Sequence, residues 1–454
     1  MAAGLSSLDL VVRGGSVLTA DGSSLVDVGI EGGAVVAVEH ELDARADEEI
    51  DARGLHMLPG CVDAHVHFNE PGRADWEGFA SGSSAAAAGG TTCVIDMPLN
   101  AHPPTIDADA FRLKAAAGEA GSLVDFALWG GLVPGNVERL QELAELGVVG
   151  FKAFMCSSGI EDFAAVDSVT LGEGMARAAE LGLPVAVHAE SAELTARLAE
   201  RALAEGRRGW RDFARSRPVA AELEAISRAL ALAEEAGCSL HVVHVSSAAG
   251  ARLVAEARAR GVDVTCETCP HYLLLDEDDL DELGAVAKCA PPLRPREEVE
   301  ALWDELRTGA VDLIASDHSP APAALKTGDD AFAVWGGISG CQSLLAATLT
   351  EGNARGLELG ALVPLLSSRP AERFGLPQKG RVEPGFDADL CLIDLGAETE
   401  LREADLHYRH RHSPYVGRRF RGRVVRTLVR GRTVWRDGEV TAGPGSGRFV
   451  RPGR

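Results

Sequence analysis

The sequence predicts an α/β protein with two parts: a (β/α)8 TIM barrel, and a small β-sandwich domain formed from both ends of the chain. Eight short apolar segments alternate with helix-like segments through the middle of the chain, and the two flanks share a different, Gly-rich pattern of short strands. The predicted boundaries are residues 1–58 and 376–454 for the two parts of the β domain, and 59–375 for the barrel.

The eight apolar segments begin near residue 61 and end near residue 319. Each is an almost continuous hydrophobic run, which is typical of a strand in a parallel sheet covered on both faces. A barrel built from such strands has its active site at their carboxyl ends. The segments are CVDAHVHF, TTCVIDMP, DFALWGGL, GVVGFKAFM, LPVAVHAE, SLHVVHVSS, VDVTCETCP and VDLIASDHS.

The segments between these strands are rich in Ala, Glu and Arg at helical spacing. Residues 220–237 are the clearest case, and Gly237 marks the predicted end of that helix. Its apolar stripe consists of Leu223, Ile226, Leu230 and Ala233. The shorter stretch SSAAAAGG, residues 83–90, predicts a helix that ends at its glycines.

The flanks are rich in Val and Gly, and residues 379–440 have the same sequence pattern as residues 1–58. Short strands with Gly turns are predicted in both, and we expect them to pair with each other. The tail, residues 442–454, is rich in Gly, Pro and Arg. Two expectations remain open for it: a mobile segment, or an arm that packs on a neighbouring subunit.

Composition argues against several classes of function. The 454 residues are 46% hydrophobic and 25% charged, which is ordinary for a globular protein. A net charge of −24 makes nucleic acid a poor partner, because phosphates require a basic surface. No apolar run approaches the ~18 residues that span a membrane, and a secretory signal pattern is missing. Nine scattered cysteines favour reduced thiols and a cytoplasmic location.

His65 and His67 lie at the end of the first predicted strand with one residue between them. Residues i and i+2 of a strand point to the same face, so the two imidazoles form a pair suited to metal binding. A pair of hydrogen-bonded structural histidines is the alternative, because so short a motif has a real false-positive risk.

Four more polar residues lie near the ends of predicted strands. Lys152 is near the end of the fourth, His188 of the fifth, His244 of the sixth and Asp317 of the eighth. Six side chains are therefore expected at one barrel mouth, where this fold places catalysis. Four imidazoles and one carboxylate can hold one metal ion, or two with a bridge.

Lys152 lies in an apolar strand, where an unpaired ammonium is costly to bury. One explanation is that its side chain extends to the mouth or pairs with an acid. The other is carboxylation by CO2, because a buried lysine readily loses its proton and becomes nucleophilic. The carbamate has two oxygens and can bridge two cations. A water between two metals ionises near neutral pH, and Asp317 would transfer its proton to the leaving nitrogen of an amide.

Together these residues lie in motifs that resemble the binuclear amidohydrolase superfamily, and within it the cyclic-amide hydrolases, most closely the allantoinases. The resemblance covers nearly the whole chain. The stretches that carry it are PGCVDAHVHFNEPGRADWEGFASGSSAAAAGGTTCVIDMPLN, GFKAFMCSSGIEDF, RPVAAELEAI, ETCPHYLLL, KCAPPLR, LIASDHSPAP, WGGISG, KGRVEPGFDADL and HRHSPYVGRRFRGRV.

This resemblance implies a binuclear site and, commonly, a homotetramer. A carboxylated Lys152 would bridge two divalent metals. Zinc suits the mixed nitrogen and oxygen ligands, and Co, Ni, Mn or Fe would also fit. The implied ligands are His65, His67 and Asp317 for one metal, and His188 and His244 for the other.

Two departures from related enzymes indicate the substrate. Dihydroorotases carry arginine two places after the second histidine, where this chain has Asn69. Dihydropyrimidinases and hydantoinases carry tyrosine five places after the lysine, where it has Ser157. Both departures favour a neutral cyclic ureide, allantoin, opened to allantoate, because a polar site discriminates strongly against an unmatched group.

Asn100 and Gly337 are further candidates for substrate contact. Asn100 follows the second strand and is equally suited to a turn. Gly337, in WGGISG, would allow the backbone to approach a ligand closely. The alternatives for function are another cyclic amidase and a catalytically inactive scaffold. The scaffold is disfavoured because all six expected metal ligands are present.

Overall fold

The computed structural model describes residues 8–19 and 22–453, and it contains both predicted parts: a β/α barrel, and a β-rich sheet from the two chain ends. The sequence expectations for residues 1–7, 20, 21 and 454 lie outside the described residues. The strands that precede the barrel are β1 (Leu8–Thr19), β2 (Gly22–Glu31), β3 (Ala34–Glu39), β4 (Ala46–Asp51) and β5 (His56–Pro59).

Every predicted barrel segment contains a strand, and neighbouring strands pair in parallel. The third segment is divided into two short pieces on either side of Trp129. The strands are β6 (Cys61–Val66), β7 (Thr91–Asp96), β8 (Asp125–Leu128), β9 (Gly130–Gly131), β10 (Phe151–Phe154), β11 (Val185–His188), β12 (Leu240–Val242), β13 (Val264–Thr268) and β14 (Leu313–Ile314).

The barrel closes between its first and last strands. Val66 forms a parallel bridge with His318, and the His67 N–H donates to the His318 carbonyl at 2.7 Å. The Ser316 N–H donates to the buried Asp63 carboxylate at 2.9 Å. Closure brings the carboxyl ends of all the strands to one rim, so side chains far apart in sequence become neighbours.

Helices connect the strands, with short 3-10 turns at Val137–Arg139, Gly284–Ala287, Ala323–Lys326, Cys341–Ser343 and Glu403–Asp405. The α-helices are α1 (Phe79–Ala88), α2 (Ala108–Gly121), α3 (Leu140–Leu146), α4 (Ser168–Leu181), α5 (Ala192–Ala204), α6 (Trp210–Arg215), α7 (Val219–Ala236), α8 (Ala248–Ala259), α9 (Pro270–Leu274), α10 (Glu277–Leu283), α11 (Arg296–Thr308), α12 (Leu344–Ala354), α13 (Leu359–Leu366) and α14 (Ser368–Arg373).

Both helices singled out in the sequence are present. The alanine run lies in α1, which ends in front of Gly89. Helix α7 ends at Gly237, whose φ of 62° is the left-handed conformation that glycine adopts without strain. Of the predicted stripe on α7, three residues are buried and Leu223 is half-buried.

Four strands follow the barrel: β15 (Leu390–Glu400), β16 (Arg419–Val429), β17 (Arg432–Arg436) and β18 (Glu439–Val440). Hydrogen bonds join them to the N-terminal strands in one sheet of order β18-β17-β16-β15-β5-β1-β2-β3, with β4 paired to β1. The sheet curls over its own apolar core. Val35 in β3 and Leu390 in β15 share that core, and the Val35 N–H donates to the Phe386 carbonyl at 2.8 Å.

Residues 442–453 of the tail pack on the barrel of the same chain. The Val450 N–H donates to the Phe126 carbonyl at 2.7 Å. The Phe449 ring lies 5.6 Å from Phe111 and 5.7 Å from Phe126. Phe449 thus finds apolar partners within its own chain. The two expectations for the tail, mobility and an arm on a neighbouring subunit, stay predictions.

Two general features complete the fold. Within residues 8–19 and 22–453, no helix combines the length and apolar character that a membrane crossing would need. All nine cysteines are buried and free.

A buried ion cluster joins the barrel to the β domain. The Lys379 Nζ lies 2.6 Å from Asp125, 2.7 Å from Asp387 and 2.8 Å from Asp389. Arg430 also pairs with Asp125. Asp125 begins β8 at the amino end of the barrel, so the cluster lies away from the barrel mouth and connects the two parts of the fold.

Replacing Lys379 with methionine should lower the free energy of unfolding by ~3–5 kcal/mol, because the buried carboxylates lose their shared cation. Denaturant unfolding measures this loss. Arg53→Met is the control, since it removes an ion pair on the surface, and it should leave the unfolding curve in place. Equal curves for Lys379→Met and the native protein would contradict the role given to the cluster.

Candidate metal centre and active site

The candidate site lies at the carboxyl ends of the barrel strands, where five strands contribute side chains. Five of the six predicted ligands line one cavity, and the sixth, Lys152, is fully buried in the wall of the barrel. His65 and His67 come from β6 and the residue after it, Lys152 from β10, His188 from the end of β11, and His244 and Asp317 from the turns that follow β12 and β14.

Backbone conformation sets this rim apart from the rest of the barrel. His244 has a φ of 39°, Asp317 a φ of 45° and Asn69 a φ of 64°. Non-glycine residues rarely adopt positive φ, and such strain is kept where the surroundings determine the conformation, often at functional sites. At His244 and Asp317 these turns direct the side chains into the mouth immediately after the strands end.

Two imidazoles and a carboxylate converge at the first position. The Asp317 Oδ1 lies 3.3 Å from the His65 Nε2 and 3.5 Å from the His67 Nε2. The ligand atoms of these three residues all lie within 4.8 Å of one another, and all three side chains are buried. Two nitrogen donors and one oxygen donor in this arrangement suit a divalent transition metal.

Two further imidazoles form the second position. The His188 Nδ1 and the His244 Nε2 are 3.1 Å apart, and the two rings meet edge to face. The His65 ring lies 5.4 Å from the His244 ring, so the two positions are adjacent. Two imidazole nitrogens that face each other in a buried site suit a cation held between them.

Glu267 orients the first position from behind. Its carboxylate accepts a hydrogen bond from the His65 Nδ1 at 2.5 Å and another from the His241 Nε2 at 3.1 Å. Burial raises the pKa of Glu267, but the two histidines outweigh it and lower the pKa to about 2. A carboxylate on Nδ1 fixes the ring and directs Nε2 to the metal side, as is common around metal-bound histidine.

Glu190 plays the corresponding part at the second position. It accepts from the His188 Nε2 at 2.8 Å and from Arg217 at 2.6 Å. The Phe154 ring stacks on His188 at 4.5 Å and fixes the plane of the imidazole. The remaining nitrogen, Nδ1, therefore faces His244.

Lys152 is a buried lysine whose Nζ has no acceptor among the described residues. Its side chain has no solvent exposure. Burial lowers the pKa of Lys152 to about 8. The side chain neither reaches solvent at the mouth nor forms an ion pair with a described acid. The structure therefore does not support the first explanation for this lysine, and carboxylation remains open.

Two other buried nitrogens of the site, the His65 Nε2 and the His244 Nδ1, also make no hydrogen bond to any described residue. Burial raises the pKa of Asp317, but His65, His67 and His244 outweigh it and hold that pKa far below its usual range. Unpaired donors and acceptors are costly in a buried site. The residues present therefore fit divalent cations, which would take up the imidazole nitrogens and the carboxylate.

The cavity above these groups has a volume of about 460 Å³, within the range of small-molecule sites. Its wall combines aromatic rings with two cations. Apart from the candidate ligands, it includes Phe154, Phe213, Phe332 and Trp335, and the cationic side chains of Arg217 and Lys288.

Three of the four predicted substrate residues line this cavity: Ser157, Asn100 and Gly337. The Ser157 Oγ accepts from the Gly159 N–H at 3.3 Å. Gly337 has a φ of 117°, and a Cβ added there would lie 2.2 Å from the Ser319 carbonyl oxygen. Only glycine fits this position.

Asn69, the fourth of these residues, does not line the cavity, and its contact with substrate stays a prediction. It is fully buried. Its Nδ2 donates to the Pro320 carbonyl at 3.2 Å. The chain turns at Asn69 with positive φ, and its side chain consequently contacts the segment after Asp317.

Sequence reasoning missed the groups that orient the ligands. Glu190 could have been found, because it lies two residues after His188 at the end of the same strand. Glu267 also carried a signal, as a carboxylate in the interior of an apolar predicted strand; it is the only charged residue of β13. Arg217 and Lys288 lie outside the strands, and nothing in the local pattern predicts that they reach the cavity.

Comparison with known proteins agrees with this geometry. A model described as "Amidohydrolase family" matches residues 56–434. The chain is 61% identical to the allantoinase of Rubrobacter xylanophilus over 451 residues, which cover 99% of both chains. It is 50% identical to the allantoinase of Deinococcus radiodurans over 447 residues, with 98% of this chain and 99% of that one covered.

The solved structure of L-hydantoinase (dihydropyrimidinase) from Arthrobacter aurescens is also similar. It has a TM-score of 0.95 and 37% sequence identity, and the alignment covers 98% of this chain and 100% of that one. Because the family model spans most of the sequence and the relatives align over nearly all of it, this chain belongs to the amidohydrolase family.

Proposed function

We propose that this protein is a metal-dependent allantoinase, which opens the hydantoin ring of allantoin to allantoate. The observation that carries the proposal is the convergence of four imidazoles and Asp317 on one cavity. The fully buried Lys152 lies close enough for the charges of Glu267 and Asp317 to act on it. The high identity to two relatives named allantoinase supports the choice of substrate. A cytoplasmic homotetramer is part of the proposal: the location is argued from the scattered cysteines, and the tetramer from the family resemblance.

Two divalent ions would occupy the site, zinc in the first instance. His65, His67 and Asp317 would hold one ion, and His188 and His244 the other. Lys152 would carry a carboxylate from CO2 and bridge the two. The lowered pKa of this lysine supports carboxylation, because the neutral amine is the nucleophile that attacks CO2.

The bound metals would supply a water that ionises near neutral pH and a Lewis acid for the ring carbonyl. Asp317 would accept the proton of this water and deliver it to the leaving ring nitrogen. One amide C–N bond breaks, and the water becomes part of the new carboxyl group. The low pKa of Asp317 keeps it a carboxylate before the reaction.

The cavity wall would orient the ring. Gly337 allows the backbone close approach, and its neighbour Trp335 offers an aromatic surface to a planar ring. Ser157 replaces the bulkier tyrosine expected of a hydantoinase and leaves room for a side chain on the ring. Asn100 lies on the same wall, and its main-chain carbonyl accepts a hydrogen bond from the Arg73 side chain.

A second candidate is hydrolysis of simple hydantoins or dihydropyrimidines. The fold likeness to L-hydantoinase, with a TM-score of 0.95, favours it. The ring chemistry would be the same, and only the groups around the ring would differ.

Purified protein supplied with a divalent metal and bicarbonate should hydrolyse allantoin in preference to hydantoin, dihydrouracil and dihydroorotate. Steady-state rates on this panel measure the preference. Good turnover of dihydrouracil or a substituted hydantoin without turnover of allantoin would establish the second candidate instead. Fewer than about one metal per subunit after metal-supplemented expression, with no activity, would favour a scaffold.

Lys152→Ala should lose bound metal and activity, because the bridging oxygens disappear. A short-chain carboxylic acid should restore part of both by supplying a bridge. The same acid should not restore His188→Ala, in which an imidazole ligand is missing. Full activity of Lys152→Ala without added acid would refute the carbamate.

Glu267→Gln should weaken metal binding by about 10-fold to 100-fold, because the anion that orients His65 is lost. Competition with a chelator measures the affinity. Glu222→Gln is the matched control, since Glu222 is also fully buried but is bonded to Ser246 and Ser247. Equal affinities for the two variants would show that Glu267 does not act through the metal centre.

A further inference from the structure

Lys288 is a cation in the cavity wall that the proposed reaction does not use. It lines the cavity and is 6% exposed. Its Nζ lies 4.5 Å from the centre of the Phe213 ring and donates to the Val334 carbonyl. No described carboxylate lies within ion-pair distance of it. A buried ammonium without a counter-ion is costly, so its presence beside a reaction site requires an explanation.

The acids near Lys288 are already paired with arginines, so they do not neutralise the lysine. Arg217 lies on the same aromatic ring, 5.8 Å from its centre, but Glu190 neutralises that guanidinium at 2.6 Å. The acid that acts most on the charge of Lys288 is Asp330, which is paired with Arg208. Burial, reinforced by Arg217, lowers the pKa of Lys288 to about 8.

An ammonium has three N–H donors. Within the described chain, one donates to the Val334 carbonyl, and the other two have no protein acceptor. These two donors lie at the wall of the cavity that would hold the ring. A ligand with a strong hydrogen-bond acceptor would satisfy them.

We propose that Lys288 determines specificity for a ring with a ureido side chain, by donating hydrogen bonds to the carbonyl oxygen of that side chain. The inference rests on the proposed function, since allantoin is a hydantoin ring with such a side chain. Ring opening leaves the ureido group unchanged. The contact therefore has the same strength in the ground state and the transition state, and it acts mainly on KM.

The competing explanation is structural: Lys288 would only hold the mouth segment through Val334. Lys326 provides a matched comparison, because its Nζ bonds the carbonyls of Ala285 and Gly337 in the same region without lining the cavity. Replacing a structural lysine should lower kcat/KM for every substrate by the same factor. Replacing Lys288 should lower it only for substrates that carry the ureido side chain.

The test compares kcat and KM for allantoin and for hydantoin, which has the ring alone, in metal-loaded protein. Lys288→Met should raise KM for allantoin by about 10-fold to 100-fold, the size of a hydrogen bond to a charged donor, with little change in kcat. Its kcat/KM for hydantoin should stay near that of the native protein. Lys288→Arg should show a smaller rise in KM for allantoin than Lys288→Met. Lys326→Met should lower kcat/KM for allantoin and for hydantoin by the same factor.

Lys288→Gln serves as a second variant if the methionine variant does not fold, since it keeps a donor but loses the charge. Equal losses on allantoin and hydantoin, or an unchanged KM for allantoin, would overturn the role of Lys288 while the allantoinase function stands. A native protein that hydrolyses hydantoin but not allantoin would overturn both. A preference for dihydroorotate that depends on Lys288 would assign the lysine to a carboxylate instead.

Discussion

The site depends on the closure of the barrel between its first and last strands. The Val66–His318 bridge and the bond from Ser316 to Asp63 hold β6 beside the turn after β14. This closure places Asp317 against His65 and His67, although Asp317 lies near the other end of the barrel sequence. Without it, the two imidazoles would remain a pair on one strand with no carboxylate to complete a metal position.

Electrostatics then determines what the mouth can do. Carboxylates behind the rings, Glu267 and Glu190, hold one nitrogen of an imidazole and turn the other toward the centre. At the front of the site, several buried polar atoms make no hydrogen bond within the described part of the chain, most notably the Nζ of Lys152. Leaving these buried polar atoms without hydrogen bonds costs free energy. Divalent cations with a bridging anion would remove that cost by binding them.

Much of this arrangement was predictable because it follows from strand periodicity. The apolar runs located the eight strands, and the polar residues at their ends located the mouth. Helix α7 and its glycine stop followed from local spacing. The orienting acids were harder to predict, because a carboxylate in a strand can serve a metal site, an ion pair or a turn, and only its neighbours distinguish these.

The sequence by itself determined the helices and strands, the end of the barrel that carries the site, and the polar residue types at that end. These features depend on residue type and on contacts near in sequence. The tertiary structure decided which side chains reach the cavity. It turned Asn69 away toward Pro320, brought Lys288 from a loop into the wall and packed Phe449 of the tail on its own barrel. These placements depend on backbone turns and on packing between distant segments, which no local pattern encodes.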